Sequence, residues 1–132
     1  MNKEKFYQYI KDFNRGDFEK VASTYYTEDI IFDTPDYRIE GKEEVKRFFT
    51  EHHKGMDETM MIENVLVDGS AVAAELCADM YFTVDRPDFR LKPMKKGQSL
   101  KMRFFVFYDT KDGKISQIKL CRKFVELKAA QP

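Results

Sequence analysis

Two Asp-Gly dipeptides constrain this chain more than anything else in it. Asp68-Gly69 and Asp112-Gly113 each stand between long runs in which apolar and polar residues alternate. Asp-Gly between such runs is the strongest short-range signal for a two-residue hairpin. The first turn predicts strands over about 57–67 and 70–84, the second over about 98–110 and 114–125. The second half of the chain is therefore expected to be sheet. Between the hairpins lies DRPDFRLKPMKKG, residues 85–97, with two prolines and five basic side chains. It reads either as a solvated extension or as a lid over a pocket.

The first half is helical. Asn2 is placed to cap a helix with the apolar stripe Phe6, Tyr9, Ile10 and Phe13. Gly16 suits the left-handed position after it. Asp17 then caps a shorter helix that buries Phe18, Val21, Ala22 and Tyr25. A third helix, about 42–53, carries Val45, Phe48, Phe49 and His52 at helical spacing. The stretch YYTEDIIFDTPDYRIEG, 25–41, joins these helices to the sheet. Ile30, Ile31 and Phe32 favour a strand, which Thr34-Pro35 stops because proline lacks an N–H for the ladder.

Ideal two-residue turns assign faces. Counting from Asp112-Gly113 sets Phe107 against Ile118, Phe105 against Leu120 and Arg103 against Arg122. Folding the central strands about 85–97 sets Asp79 against Arg103. One face then carries Phe105, Phe107, Ile118, Leu120 and Phe124, interrupted by Glu75, Asp79, Arg103 and Arg122. Its large side chains make it the face expected under the helices. Charges there are costly unless paired, so they read either as structural ion pairs or as convergent polar groups of a small-molecule site. The other face, with Val72, Ala74, Leu76, Ala78 and Phe104, would be left open and is expected to form a homodimer. The same count puts Cys77 and Cys121 on opposite faces, unable to bridge.

Composition serves mainly to exclude. A length of 132 residues fits one domain, 1–132. Lys plus Arg and Asp plus Glu both number 23, so no net field points to nucleic acid or a membrane surface. No apolar run reaches the ~20 residues of a membrane span, and the N-terminus has no signal-peptide core. A cytoplasmic protein is the expectation. His, Cys, Asp and Glu show no metal-ligand spacing, and no glycine-rich phosphate loop occurs, so no cofactor is expected. His52 continues the apolar stripe of the third helix and reads as a core or cavity-rim residue, with His53 beside it.

Tyr9-Ile10-Lys11-Asp12-Phe13-Asn14-Arg15-Gly16-Asp17, then TEDIIFDTP, then Gly41 opening a helix, then paired hairpins ending GKISQIKL, resembles the NTF2-like superfamily. The likeness is greatest to its SnoaL-like and ketosteroid-isomerase-like branch. It implies an α+β cone, a curved mixed or antiparallel sheet wrapped around three N-terminal helices, with a cavity inside and frequent dimers. Ketosteroid isomerases hold a catalytic tyrosine where Tyr9 stands. Their base position reads Thr34 here, with Asp33 one residue earlier, and their second acid reads Phe105. Limonene-epoxide-hydrolase-like members use carboxylates around an arginine, which Asp79 and Arg103 resemble, with Tyr9 and Tyr25 or Tyr26 as hydroxyl donors. The candidate catalytic set is therefore Tyr9, Asp79 and Arg103. Tyr25, Asp33, His52, Glu75, Phe105, Phe107, Leu120 and Arg122 are candidate contacts to a small hydrophobic molecule. Isomerisation, cyclisation or hydration without a cofactor, a non-catalytic binder, and a dimeric interaction module all remain open.

Overall fold

A computed structural model of the chain describes residues 1–128; the AAQP end, expected to fray, lies outside the described residues. The helix caps behave as their residue types demand. Asn2 Oδ1 accepts the Lys5 N–H at 2.8 Å and Asp17 Oδ1 accepts the Lys20 N–H at 3.1 Å. They start α1 (Lys3–Asn14) and α2 (Phe18–Tyr25). Gly16 takes the left-handed backbone between them, with φ of 78°. Helix α3 (Lys42–His52) follows Gly41 and buries Val45 and Phe49.

Six strands form one mixed sheet in the order β2-β1-β6-β5-β4-β3. They are β1 (Tyr26–Asp33), β2 (Arg38–Glu40), β3 (Met56–Asp68), β4 (Ala71–Phe82), β5 (Ser99–Lys111) and β6 (Lys114–Lys128). All neighbours are antiparallel except β1 and β6, which run parallel. This is the expected α+β cone. Thr34-Pro35 does stop β1, but the chain turns back and pairs with it as β2, a hairpin the sequence did not announce. Thr34 Oγ1 holds that turn by accepting the N–H groups of Asp36 and Tyr37, each at 3.2 Å. Asn14 ties α1 to the free edge of β3. Its Nδ2 donates to the Met60 carbonyl at 3.0 Å, and the Met60 N–H donates to its Oδ1 at 2.8 Å.

The covered face of the sheet is the opposite of the one expected. The helices cover the face bearing Val72, Ala74, Leu76, Ala78, Met80, Met102, Val106 and Tyr108, all buried, which was expected to be open. Phe105 and Phe107 lie on the outer face, 52% and 41% exposed. Residues of β4 and β5 keep the grouping expected of them and only the covered side differs, whereas two irregularities change the grouping of β3 and β6. The first hairpin turns at Gly69-Ser70, with Asp68 opposite Ala71, not at Asp68-Gly69. In the second, a bulge leaves Ser116 unpaired between Thr110↔Ile115 and Asp109↔Gln117. That extra residue moves Ile118 opposite Tyr108 and Leu120 opposite Val106, away from Phe107 and Phe105. The packing reason is volume: α1 to α3 bring Phe6, Tyr9, Phe13 and Phe49 inward, so the sheet beneath them must supply small residues such as Ala74 and Ala78.

Charged residues follow the same logic. Glu75, Asp79 and Arg103 share a face, as parity requires, but it is the outer one. Asp79 stands opposite Lys101 and Arg103 opposite Cys77, so the Asp79–Arg103 cross-strand pair inside the cone does not exist. Arg103 Nε instead lies 3.3 Å from Glu75 Oε2, where water lowers the cost of both charges. Cys77 and Cys121 also share the outer face, since Cys121 is opposite Phe105 and Cys77 opposite Arg103. They stay apart because β5 separates them, and two strand spacings of ~4.8 Å exceed what a disulfide spans.

Candidate functional site

Inside the cone, between the helices and the covered sheet face, is a cavity of about 70 Å³. Its apolar walls come from Phe13, Phe32, Phe48, Phe49, Met60, Leu76, Phe104, Val106, Ile118 and Leu120. Each strand puts alternate residues on this side, and the Ser116 bulge brings Ile118, Leu120 and Arg122 to it. The polar groups in the wall are Tyr9, Tyr37, His52, His53, Glu58, Tyr108 and Arg122.

The closest polar pair is His53 and Glu58. Met56, Glu58 and Met60 point inward on β3 by strand alternation, which sets a carboxylate between two buried methionines. His53, just past the end of α3, puts Nε2 2.6 Å from Glu58 Oε1. Its Nδ1 lies 2.7 Å from the Phe49 carbonyl oxygen. A carbonyl only accepts, so Nδ1 carries hydrogen. The short Nε2–Oε1 contact then requires a second proton between ring and carboxyl. The pair thus holds one transferable proton, with side chains only 12% and 7% exposed.

Three tyrosines lie beside it. Tyr9 and Tyr26 hydroxyls are 2.8 Å apart, and the Tyr9 and Tyr108 rings sit 6.0 Å apart. Burial raises all three well above the ordinary tyrosine value, so they remain neutral hydrogen-bond donors. His52 stacks on Phe48, with ring centres 5.4 Å apart. Desolvation, reinforced by His53, Arg86 and Arg90, pulls it down to about 3, which keeps it uncharged at neutral pH.

Two arginines stand against the cavity walls. Arg122 pairs with Asp36 on the β1–β2 turn. Arg90 lies 4.9 Å over the Tyr37 ring and 5.4 Å over Phe48. The 85–97 segment is therefore not a solvated extension. Phe89 and Met94 are buried, Leu91 lines the cavity, and Arg86 donates to the carbonyls of His52, at 3.3 Å, and Lys54, at 2.5 Å.

The cavity thus gathers Tyr9, His52, Leu120 and Arg122 from the sequence candidates. It excludes Asp33, Glu75, Asp79, Arg103, Phe105 and Phe107. Asp33, Glu75, Phe105 and Phe107 line an open groove on the outer face instead. Tyr25 is buried, but its hydroxyl donates to Asp12 at 2.6 Å outside the cavity, and burial lifts it to about 12. The His53–Glu58 pair was missed. Its signal was present in Met56-Asp57-Glu58-Thr59-Met60, where a carboxylate takes the inward place of an alternating strand. Among the described residues, no group of three or more His, Cys, Asp or Glu side chains is placed to hold a metal. No described helix is long and apolar enough to cross a membrane.

The SnoaL-like domain family matches residues 6–118. Comparison with curated proteins gives no match. Among solved structures, the fold is similar to a candidate polyketide cyclase from Xanthomonas campestris pv. campestris, 21% identical over 86% of this chain and 83% of that one, with a TM-score of 0.70. It is also similar to a candidate ketosteroid isomerase from Kribbella flavida, 21% identical, covering 94% and 77%, TM-score 0.64. An LEH-like epoxide hydrolase from M. tuberculosis matches at 14% identity, 87% and 77% coverage, TM-score 0.69. At these identities the likeness is one of fold.

Proposed function

Because this chain belongs to the SnoaL-like domain family, within the NTF2-like superfamily, we propose that it is a cofactor-independent enzyme that moves a proton on a small, mostly apolar molecule held in the cone. The observation that carries this is the 2.6 Å contact between His53 Nε2 and Glu58 Oε1 in the wall of an apolar cavity, with His53 Nδ1 turned to the Phe49 carbonyl. A general acid or base works best when its proton is held by a partner and shielded from water. With the pair deprotonated, Glu58 takes a hydrogen from carbon next to a carbonyl. With it protonated, the pair returns that hydrogen at another position. Tyr9 and Tyr108, kept neutral by burial, supply hydroxyl hydrogens to the oxygen on which negative charge develops.

Hydrogen exchange tests this without knowledge of the product. Cyclohexanone and cyclohex-2-enone are incubated with the protein in D₂O and followed by proton NMR. The wild type should exchange hydrogens next to the carbonyl faster than buffer alone. Glu58→Gln, of equal size but unable to accept a proton, should be slower by about 10²–10⁴-fold. Equal rates in the two proteins would sink the reading. The small cavity and paired mouth favour the alternative, a non-catalytic binder of the same molecules, which would bind them without exchange.

The same reading extends to assembly. The outer face exposes Met61, Leu66, Phe105 and Phe107, large apolar side chains on one sheet face of the kind that marks an interaction surface. Its charges come in balanced pairs, Glu75 with Arg103 and Asp109 with Lys119, which suits a two-fold contact with a second copy. Size-exclusion chromatography with light scattering should give a dimer for the wild type and a monomer for Phe105→Lys. A monomeric wild type at tens of micromolar, roughly the range where a standard interface holds, would reject the contact.

A further inference from the structure

We propose that the cavity takes a carboxylate on a single planar ring and that Arg122 is the group that reads it, with Asp36 occupying the arginine until the ligand arrives; this rests on the cone being a ligand site. The two partners of the Arg122–Asp36 pair differ in exposure. The Arg122 side chain is 13% exposed and the Asp36 side chain 55%. The arginine is fixed on β6, opposite Phe104, and faces the cavity. The aspartate sits on the Thr34–Tyr37 turn at the mouth. A buried guanidinium needs an anion, because desolvation works against its charge. The anion it has is the more exposed and more easily displaced of the two. Among the described residues, Asp36 is its only ionic partner, and a guanidinium has five N–H donors in a planar fork. A ligand carboxylate entering the cone can take two of them in parallel, a geometry in which arginine holds carboxylates most firmly.

Size and wall chemistry fix the rest of the ligand. A volume of about 70 Å³ is about two waters' share of the liquid and half of the ~150 Å³ that takes a benzene, so one ring is the upper bound and it enters only as Asp36 gives way at the mouth. The rings of Phe32, Phe48, Phe49 and Phe104 surround it and favour a flat apolar body. Arg122 and Glu58 come from β6 and β3, with β5 and β4 between them in the sheet. A ring anchored by its carboxylate at Arg122 therefore points its far side into the cone, toward the half that contains the His53–Glu58 proton.

The test uses benzoate and benzyl alcohol, which share a ring and differ in charge, with binding measured by titration calorimetry on the full chain. Wild type should bind benzoate about tenfold or more tightly than benzyl alcohol. Asp36→Asn removes the resident competitor and should tighten benzoate several-fold while leaving benzyl alcohol unchanged. Arg122→Gln should bring benzoate down to the level of benzyl alcohol. Equal affinity for the two probes in wild type overturns the proposal, as does no binding of benzoate at all. Weaker benzoate binding by Asp36→Asn also overturns it, because the ion pair would then be a support and not a placeholder. Asp36 lies on an exposed turn, so that variant reads out even if Arg122→Gln fails to fold. Ketone exchange by the wild type without benzoate selectivity would reject the carboxylate and leave the acid–base reading standing; the reverse pattern would do the opposite.

Discussion

Replacing His52 by phenylalanine is expected to make the protein more resistant to acid than the wild type. In the fold His52 is stacked on Phe48 and lies 4.9 Å from Phe89, and desolvation holds it down to about 3 from an ordinary 6.5. The unfolded chain has no such restraint and takes up a proton near pH 6.5. Between those values the unfolded state binds more protons than the native one, so stability is complete above about pH 6.5 and declines as pH falls toward 3. The slope from this one ring reaches about 1.4 kcal/mol per pH unit. Phenylalanine keeps the stack and does not titrate. Urea unfolding of both proteins at a series of pH values from about 7 to about 4 should show curves that separate below about pH 6.5 in favour of the variant. Acid-labile groups shared by both, such as Asp12 held low by the Tyr25 hydroxyl, cancel in the difference. Parallel curves would show that His52 is charged in the native state.

Asn14→Ala is expected to lower stability by roughly 2–4 kcal/mol, since it removes two hydrogen bonds and leaves both backbone groups of Met60 unpaired beside the core. The amide of Asn14 acts as one residue of a neighbouring strand, donating and accepting as a peptide would. A carboxylate in its place cannot donate to the Met60 carbonyl, so Asn14→Asp should recover little of the loss. Thermal unfolding of the three proteins checks this. An alanine variant as stable as the wild type would mean that water replaces the amide at that edge.

The residues that made the fold legible are those whose signal is local. Asn2, Asp17, Gly16 and the stripe Phe6, Tyr9, Ile10 and Phe13 ended up where capping and periodicity put them. Both hairpins formed within a few residues of their expected bounds. The site was less legible because its faces depend on counting along a ladder, and counting does not survive an inserted residue. Ser116 looks like any other strand serine, yet it decides that Ile118, Leu120 and Arg122 face inward with Val106 and Tyr108. Glu75, Asp79 and Arg103 were grouped correctly with one another and assigned to the wrong side. The choice rested on the bulk of Phe105 and Phe107, whereas the aromatics of the helices had already filled the inner space. Arg122 was placed in the cavity, but its partner Asp36 comes from a turn whose path no pattern specifies.

The parallel pairing of β1 with β6 has a consequence for how the chain is made. Tyr26 and Ile115 are partners in the finished sheet, so the first strand leaves the ribosome long before its neighbour exists. At about 5–20 residues per second, that interval lasts several seconds. During it α1, α2 and α3 lack the strand that completes the sheet they cover. Local hairpins have short loops to close, whereas the β1–β6 pairing joins Tyr26 to Ile115 across about two thirds of the sequence and is slower by topology. The cavity is incomplete until β6 docks, because β6 brings Ile118, Leu120 and Arg122 with it. Nascent chains stalled before β6 should be the ones that chaperones hold.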